Sequence, residues 1–254
     1  MTNRHTKILE ILSKQQRVDV SVLSAVLGVS QVTVRKDLDL LEEKGLVLRE
    51  HGYACLDSAD DMGRRMAYFY DIKKRIARAA AATVEDGETI MIESGSCCAF
   101  FAEELANTKK DITLITNSVF ITNYLRHATT GIKIILLGGY YQSESQVLVG
   151  PITKKCGEIF FSNKFFIGVD GFAPKFGFTG KDHQRVQTIF DLVEYARSII
   201  VLTESEKFKQ QGVLGLVRTE NVSEVFTDEG IPADAENILH SHDVMIHKVI
   251  NNEK

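Results

Sequence analysis

The chain has 254 residues, of which 44% are hydrophobic and 25% charged, and carries a formal net charge of −4. This is the composition of ordinary folded domains, and it excludes disordered and collagen-like classes. A net negative chain is not a general polyanion binder, and no uninterrupted apolar run approaches a membrane span. The first sixteen residues lack the apolar core of a secretory signal, so a cytoplasmic chain is expected.

The order of elements is informative from the start. Residues 3–15 predict a helix with Ile8, Leu9, Ile11 and Leu12 on its apolar side. Residues 21–45 read as two short helices joined by a tight turn. Val22, Leu23, Val26 and Leu27 supply the first apolar face, and Gly28 permits the reversal. Ser30 stands where an N-cap belongs. In the second helix Val34, Leu38 and Leu41 are spaced by four and then three and share a buried face. Gln31, Thr33, Arg35 and Lys36 are left off that face, near the helix start, and Gly45 marks its end. A second helix that is polar and cationic at its beginning is how a major-groove reader is built.

Segments 46–48 and 53–56 flank a turn at His51-Gly52 and read as a short hairpin, the wing of a winged helix, with Arg49 placed to meet a phosphate. Residues 1–56 hold eight Lys/Arg and seven Asp/Glu, so this part is net +1 and the remainder −5. Steering to DNA therefore rests on the placement of Arg35, Lys36, Lys44 and Arg49 rather than on bulk charge. We read residues 1–57 as the winged helix-turn-helix domain. Residues 58–70 read as a linker, from their acidic start and Gly63, and 71–254 as a second domain.

After a helix over 71–84, strand, polar loop and helix alternate. Strands are expected at 89–92, 112–116, 132–137, 165–169, 198–202, 224–227 and 244–249. Helices are expected at 97–106, 119–127, 152–161, 182–196 and 233–239. Solidly apolar strands suit a parallel sheet covered on both faces, hence a three-layer α/β domain. Ligands of such sheets sit beyond the carboxyl ends of the strands. Polar and glycine-rich clusters fall there: Glu93-Ser94-Gly95-Ser96, Asn117-Ser118, Gly138-Gly139, Asp170-Gly171 and Glu204-Ser205-Glu206-Lys207. The first enters a helix that opens with Cys97, and N–H groups at such a helix start favour a phosphate. Ser94 and Ser96 can add hydroxyls and Lys207 a point charge. Adjacent Cys97-Cys98 read as small buried thiols. The seven histidines and four cysteines lack metal-site spacing, so no metal and no cofactor are expected.

The stretch SQVTVRKDLDLLEEKGLVLREHG resembles the signature of the DeoR family of bacterial transcription regulators. Thr33-Val34-Arg35-Lys36-Asp37-Leu38 stands for its core, Leu41-Glu42 for its Leu-Glu pair, and Arg49-Glu50-His51-Gly52 for its wing, with Tyr53 where a second glycine is usual. The resemblance continues through the second half. Glu93-Ser94-Gly95-Ser96 stands for Asp-Ser-Gly-Thr/Ser, and Thr116-Asn117-Ser118 and Gly138-Gly139 match directly. Gly168-Val169-Asp170-Gly171, Gly177-Phe178-Thr179 and the segment 202–208 follow, and Thr227-Asp228 matches the late Thr-Asp. The resemblance implies an effector domain similar to ribose-5-phosphate isomerase and glucosamine-6-phosphate deaminase. It also implies a regulator, expected to repress a carbohydrate operon, whose partners are double-stranded operator DNA and a phosphorylated sugar. A homodimer or homotetramer would match paired half-sites. Glu204 and Glu206 depart from the family's Asp and Ser, and Lys181 could restore charge. The competing reading is a sugar-phosphate enzyme using Asp170, Glu204 and His183 as acid and base. A DNA reader fused to the sheet argues against it.

Overall fold

The computed structural model describes residues 3–56, 62–126 and 131–250. Two compact units divide after Asp71. The first begins with α1 (Asn3–Gln15), β1 (Arg17–Asp19) and α2 (Val20–Leu27) and continues with α3 (Gln31–Glu43), β2 (Leu48–Glu50), β3 (Tyr53–Cys55) and α4 (Met62–Ala67). Its core is Ile8, Leu9, Leu12, Leu23, Val34, Leu38 and Leu41, all fully buried.

Gly28 caps α2 in the left-handed conformation (φ 66°), and the Ser30 side chain caps α3 by accepting from Thr33 N at 3.2 Å. The apolar face expected of α2 is corrected: Val22 and Val26 are 46% and 54% exposed. Val20, Leu23 and Leu27, spaced three and four, turn inward instead, which puts Val22 and Val26 on the far side. The hairpin expected at the wing is present, and β3 also pairs antiparallel with β1, a three-residue strand too short to show a period. Part of the stretch read as a linker is helical: α4 buries Met62 and Met66 and packs on α1. Its residues 57–61 lie outside the described residues.

The second unit starts in α5 (Tyr70–Ala81) and β4 (Thr89–Ile92). The chain then runs through α6 (Ser96–Thr108), β5 (Thr113–Thr116), α7 (Val119–Tyr124), β6 (Lys133–Leu136) and a hairpin of β7 (Tyr140–Gln142) and β8 (Val147–Val149). Next come α8 (Pro151–Gly157), β9 (Ser162–Ile167), a β10–β11 hairpin (Gly171–Ala173, Gly177–Gly180), α9 (His183–Val193) and β12 (Ala196–Leu202). The chain ends with β13 (Leu214–Val217), β14 (Glu224–Asp228), α10 (Ala233–Ser241) and β15 (Met245–Val249). The end of the helix expected over 119–127 falls partly on residue 127, outside the described residues.

Seven parallel strands form one sheet in the order β15-β14-β12-β9-β4-β5-β6. Alternate residues serve opposite faces. Phe165 and Ile167 join a core with Ile189 and Leu192 of α9, while the Phe166 ring meets Phe101 of α6 at 4.2 Å between centroids. The three-layer expectation therefore holds. Strand order reverses between β4 and β9, the switch point where open α/β sheets place ligands. The β7–β8 hairpin and the antiparallel sheet β10-β11-β13 come from stretches expected to be loop. Their strands are three or four residues long, and glycines interrupt β10, β11 and β13, so no period of two develops.

Candidate functional site

The first candidate surface is the amino-terminal end of α3. Val34, Leu38 and Leu41 point into the core, which leaves Gln31, Arg35 and Lys36 exposed and Thr33 half-buried. Ser30 is occupied as the cap, its hydroxyl 3.0 Å from that of Thr33. Among the described residues neither Arg35 nor Lys36 has an ion-pair or hydrogen-bond partner. Arg49 differs: its guanidinium contacts Asp39 on α3, and its backbone N–H donates to Glu42 Oε1 at 3.1 Å. A phosphate would have to take Arg49 from Asp39. Tyr53, where the family pattern has glycine, is accommodated by stacking. The Arg17 guanidinium lies 4.2 Å from its ring centroid and pairs with Glu50 at 3.4 Å.

Asp37 is a residue whose role composition did not reveal. It is buried, and its carboxylate accepts from Arg4 Nη2 at 2.8 Å and pairs with His5 Nε2 at 3.0 Å. It thereby fastens the middle of α3 to α1. The Arg4 hydrogen bonds, with His5 behind them, hold its carboxyl below the usual carboxylate range against the opposing effect of burial.

The second candidate site is the carboxyl rim of the large sheet. At the switch point Glu93 follows β4, and its Oε2 accepts from Gly95 N at 2.6 Å and from Gly168 N, beyond β9, at 3.2 Å. Ser94 Oγ donates to Glu93 Oε1 at 2.8 Å. The two glycines are in backbone contact: a Cβ on Gly95 would lie 3.1 Å from Gly168 Cα. The chain's own carboxylate thus takes the N–H groups that an external anion would need.

Beside it lies a charged cluster. Lys73 Nζ of α5 is 3.7 Å from Glu204 Oε1, and Cys97 Sγ is 3.8 Å from Glu204 Oε2, all three residues being buried. Burial, reinforced by the Glu204 charge, pushes the Cys97 thiol far up, so it stays protonated and unreactive. Cys98 Sγ donates to Phe166 O. Next along the rim, Ser205 donates to Asp228 from both N (2.6 Å) and Oγ (2.7 Å). Lys73 escaped sequence reading, yet a signal existed: it precedes Ile76, Ala77 and Ala80 by three, four and seven, on the apolar face of α5.

The other expected effector residues divide into two groups. Asn117 donates from Nδ2 to Leu148 O at 2.9 Å, and Ser118 caps α7 by accepting from Ile121 N. Gly138 O accepts from Thr153 Oγ1 at 2.7 Å, and a Cβ on Gly139 would meet Val149 O at 2.9 Å. These four seat the β7–β8 hairpin and α8 against the sheet. Ser94, Gly95, Ser96 and Cys97 stand instead at the switch point, with Asp170 beyond β9 and Lys207 beyond β12. Asp170 Oδ2 accepts from the backbone N–H of Lys181 at 3.0 Å, and the Lys181 side chain is exposed. The strand ends carrying Gly138 and Lys207 are four strand spacings apart, about 19 Å. A hollow of about 100 Å³ lies among Val169, Phe172, Phe178, Thr203, Lys207 and Phe208. That hollow is lined mainly by apolar side chains, with Thr203 and Lys207 at its polar edge. Among the described residues no group of three or more His, Cys, Asp or Glu could hold a metal, and no helix is long and apolar enough to cross a membrane.

Residues 4–60 match the family model described as the DeoR-like helix-turn-helix domain, and residues 69–229 match the DeoR C terminal sensor domain. The chain is 27% identical over 248 residues to the glycerol-3-phosphate regulon repressor of Escherichia coli strain K12, covering 96% of this chain and 98% of that one. It is 26% identical over 246 residues to the HTH-type transcriptional repressor CsqR of the same strain, covering 96% and 94%. Among solved structures, a ribose 5-phosphate isomerase A from Methanocaldococcus jannaschii superposes on 55% of this chain and 54% of its own, with 18% identity and a TM-score of 0.38. With both halves matched in order along one chain, the protein belongs to the DeoR family of DNA-binding transcription regulators rather than to a family of enzymes.

Proposed function

We propose that this regulator represses a carbohydrate-metabolism operon and is released by a phosphorylated sugar, or a related metabolite, at the carboxyl rim of its parallel sheet. Contact with operator DNA is assigned to Ser30, Gln31, Thr33, Arg35, Lys36 and Arg49. Effector contact is assigned to the switch-point group Ser94, Gly95, Ser96, Cys97, Asp170, Lys181 and Lys207, with Asn117, Ser118, Gly138 and Gly139 shaping the neighbouring wall. A homodimer or homotetramer would set two reading helices against a paired operator. The observation that carries the reading is the strand reversal between β4 and β9 in the same chain as a helix whose Arg35 and Lys36 have no partner among the described residues. The likeness to a glycerol-3-phosphate regulon repressor supports a phosphorylated ligand.

A phosphate bound at the switch point would take the Gly95 and Gly168 N–H groups from Glu93. A thermal-shift screen of the full chain against phosphorylated sugars, each paired with its unphosphorylated sugar, tests this. A ligand at 100 times its Kd stabilises by about 2.7 kcal/mol. One phosphorylated compound is expected to raise Tm by several degrees while its unphosphorylated counterpart does not. Equal shifts for both members of every pair would remove phosphate from the account.

A further inference from the structure

Val32 is 61% exposed although it is an apolar, β-branched residue in the first turn of α3. At about 100° per residue it lies roughly 160° from Val34 and therefore almost opposite the buried face. The same geometry puts it between Arg35 and Lys36, three and four residues on, at the centre of the cationic face. Nothing in folding asks for valine there. A β-branched residue lowers helix propensity, and its methyl groups meet water. Polar residues surround it: Gln31 precedes it and Thr33 follows. Ser30 caps the helix, so the backbone start is already satisfied.

A groove reader gives such a side chain a use. The major groove presents one apolar feature, the C5-methyl group of thymine, and residues at the start of a recognition helix reach base edges. We propose that Val32 packs on a thymine methyl in each operator half-site and so determines sequence preference, a role that neither charge nor hydrogen bonding on this face supplies. Arg35 and Lys36 flank it and hold the helix in register on the phosphates and base edges on either side. The inference rests on α3 being the reading helix.

The test replaces single thymines by deoxyuridine, which removes the methyl and keeps every hydrogen-bonding group. The full chain first selects duplexes from a random-sequence library. Each thymine of the enriched site is then replaced in turn, and binding is measured by fluorescence anisotropy for wild type and Val32→Ala. Loss of one buried methyl group corresponds to about four-fold in affinity. One thymine per half-site is expected to show that loss with wild type and none with Val32→Ala. Val32→Thr, which keeps one methyl, is expected to retain part of it. Because Val32 is exposed, its variants fold. Absence of any deoxyuridine effect with wild type, or an undiminished effect with Val32→Ala, overturns the inference while leaving α3 as the reader. Failure to enrich any sequence overturns the reading helix and this inference together.

Discussion

The reading head and the sensing rim handle polar groups in opposite ways. On the head, Gln31, Arg35 and Lys36 are exposed, and the two cations have no partner among the described residues. On the rim, Glu93, Lys73, Glu204 and Asp228 are buried and bound to one another or to backbone. The contrast follows from their counterparts. DNA is a permanent polyanion, so donors can wait in water at little cost. A small effector is absent much of the time, and a buried rim that waited with empty donors would bear their desolvation penalty. The rim satisfies itself, and an effector bound there as proposed would exchange internal bonds for ligand bonds, the bistability a sensor needs.

Three perturbations sharpen this contrast, and the largest is on the rim. Lys73→Met leaves Glu204 buried without its cation, which for a buried pair costs about 3–5 kcal/mol. The sensor domain is expected to melt roughly 10 °C lower, and Lys73→Met with Glu204→Gln is expected to recover much of that. A loss below about 1 kcal/mol by urea titration would mean that the pair is not the buried centre described here.

Asp37 is the head's exception, a buried carboxylate bound to Arg4 and His5. Its folded pKa is depressed, so the stability it contributes is present above the ordinary carboxylate range and lost as pH falls through the lower, folded value. Asp37→Asn is expected to destabilise the head by about 1.5–3 kcal/mol at neutral pH, the worth of a hydrogen bond to a charged group, and to flatten its acid limb. An unchanged acid transition would contradict the tether between α1 and α3. Smallest in stability but not in function, Arg35→Ala is expected to leave the melting curve unmoved and to weaken operator binding by about 1–3 kcal/mol. Unaltered binding in a gel shift would displace Arg35 from the interface.

The head was largely legible in the sequence because its signals are local. Ser30 precedes a run in which Val34, Leu38 and Leu41 recur at helical spacing, and what the core does not use is left on the surface. The exposed Val22 and Val26 show the limit: in a helix of eight residues two apolar stripes compete, and only tertiary packing chooses. The seven parallel strands were legible from apolar runs, their order was not. That β4 neighbours β9, with Met91 paired to Phe165, follows from crossover topology and brings Gly95 against Gly168. Lys73 was hidden for the same reason, since its partner lies on the loop after β12. Strands such as β1, β10 and β11 are only three or four residues long and leave no side-chain period to read.

The proposed function has occupancy of the rim release the head from DNA. Its most direct test is operator affinity, measured by anisotropy on the selected site, with and without each phosphorylated sugar that stabilises the chain. At least a ten-fold loss of affinity is expected with one such sugar, and no loss when Lys207→Ala has abolished its binding. A sugar phosphate that binds the rim tightly yet leaves operator affinity unchanged would contradict it, because a ligand shifts an equilibrium only through its different affinities for the two states.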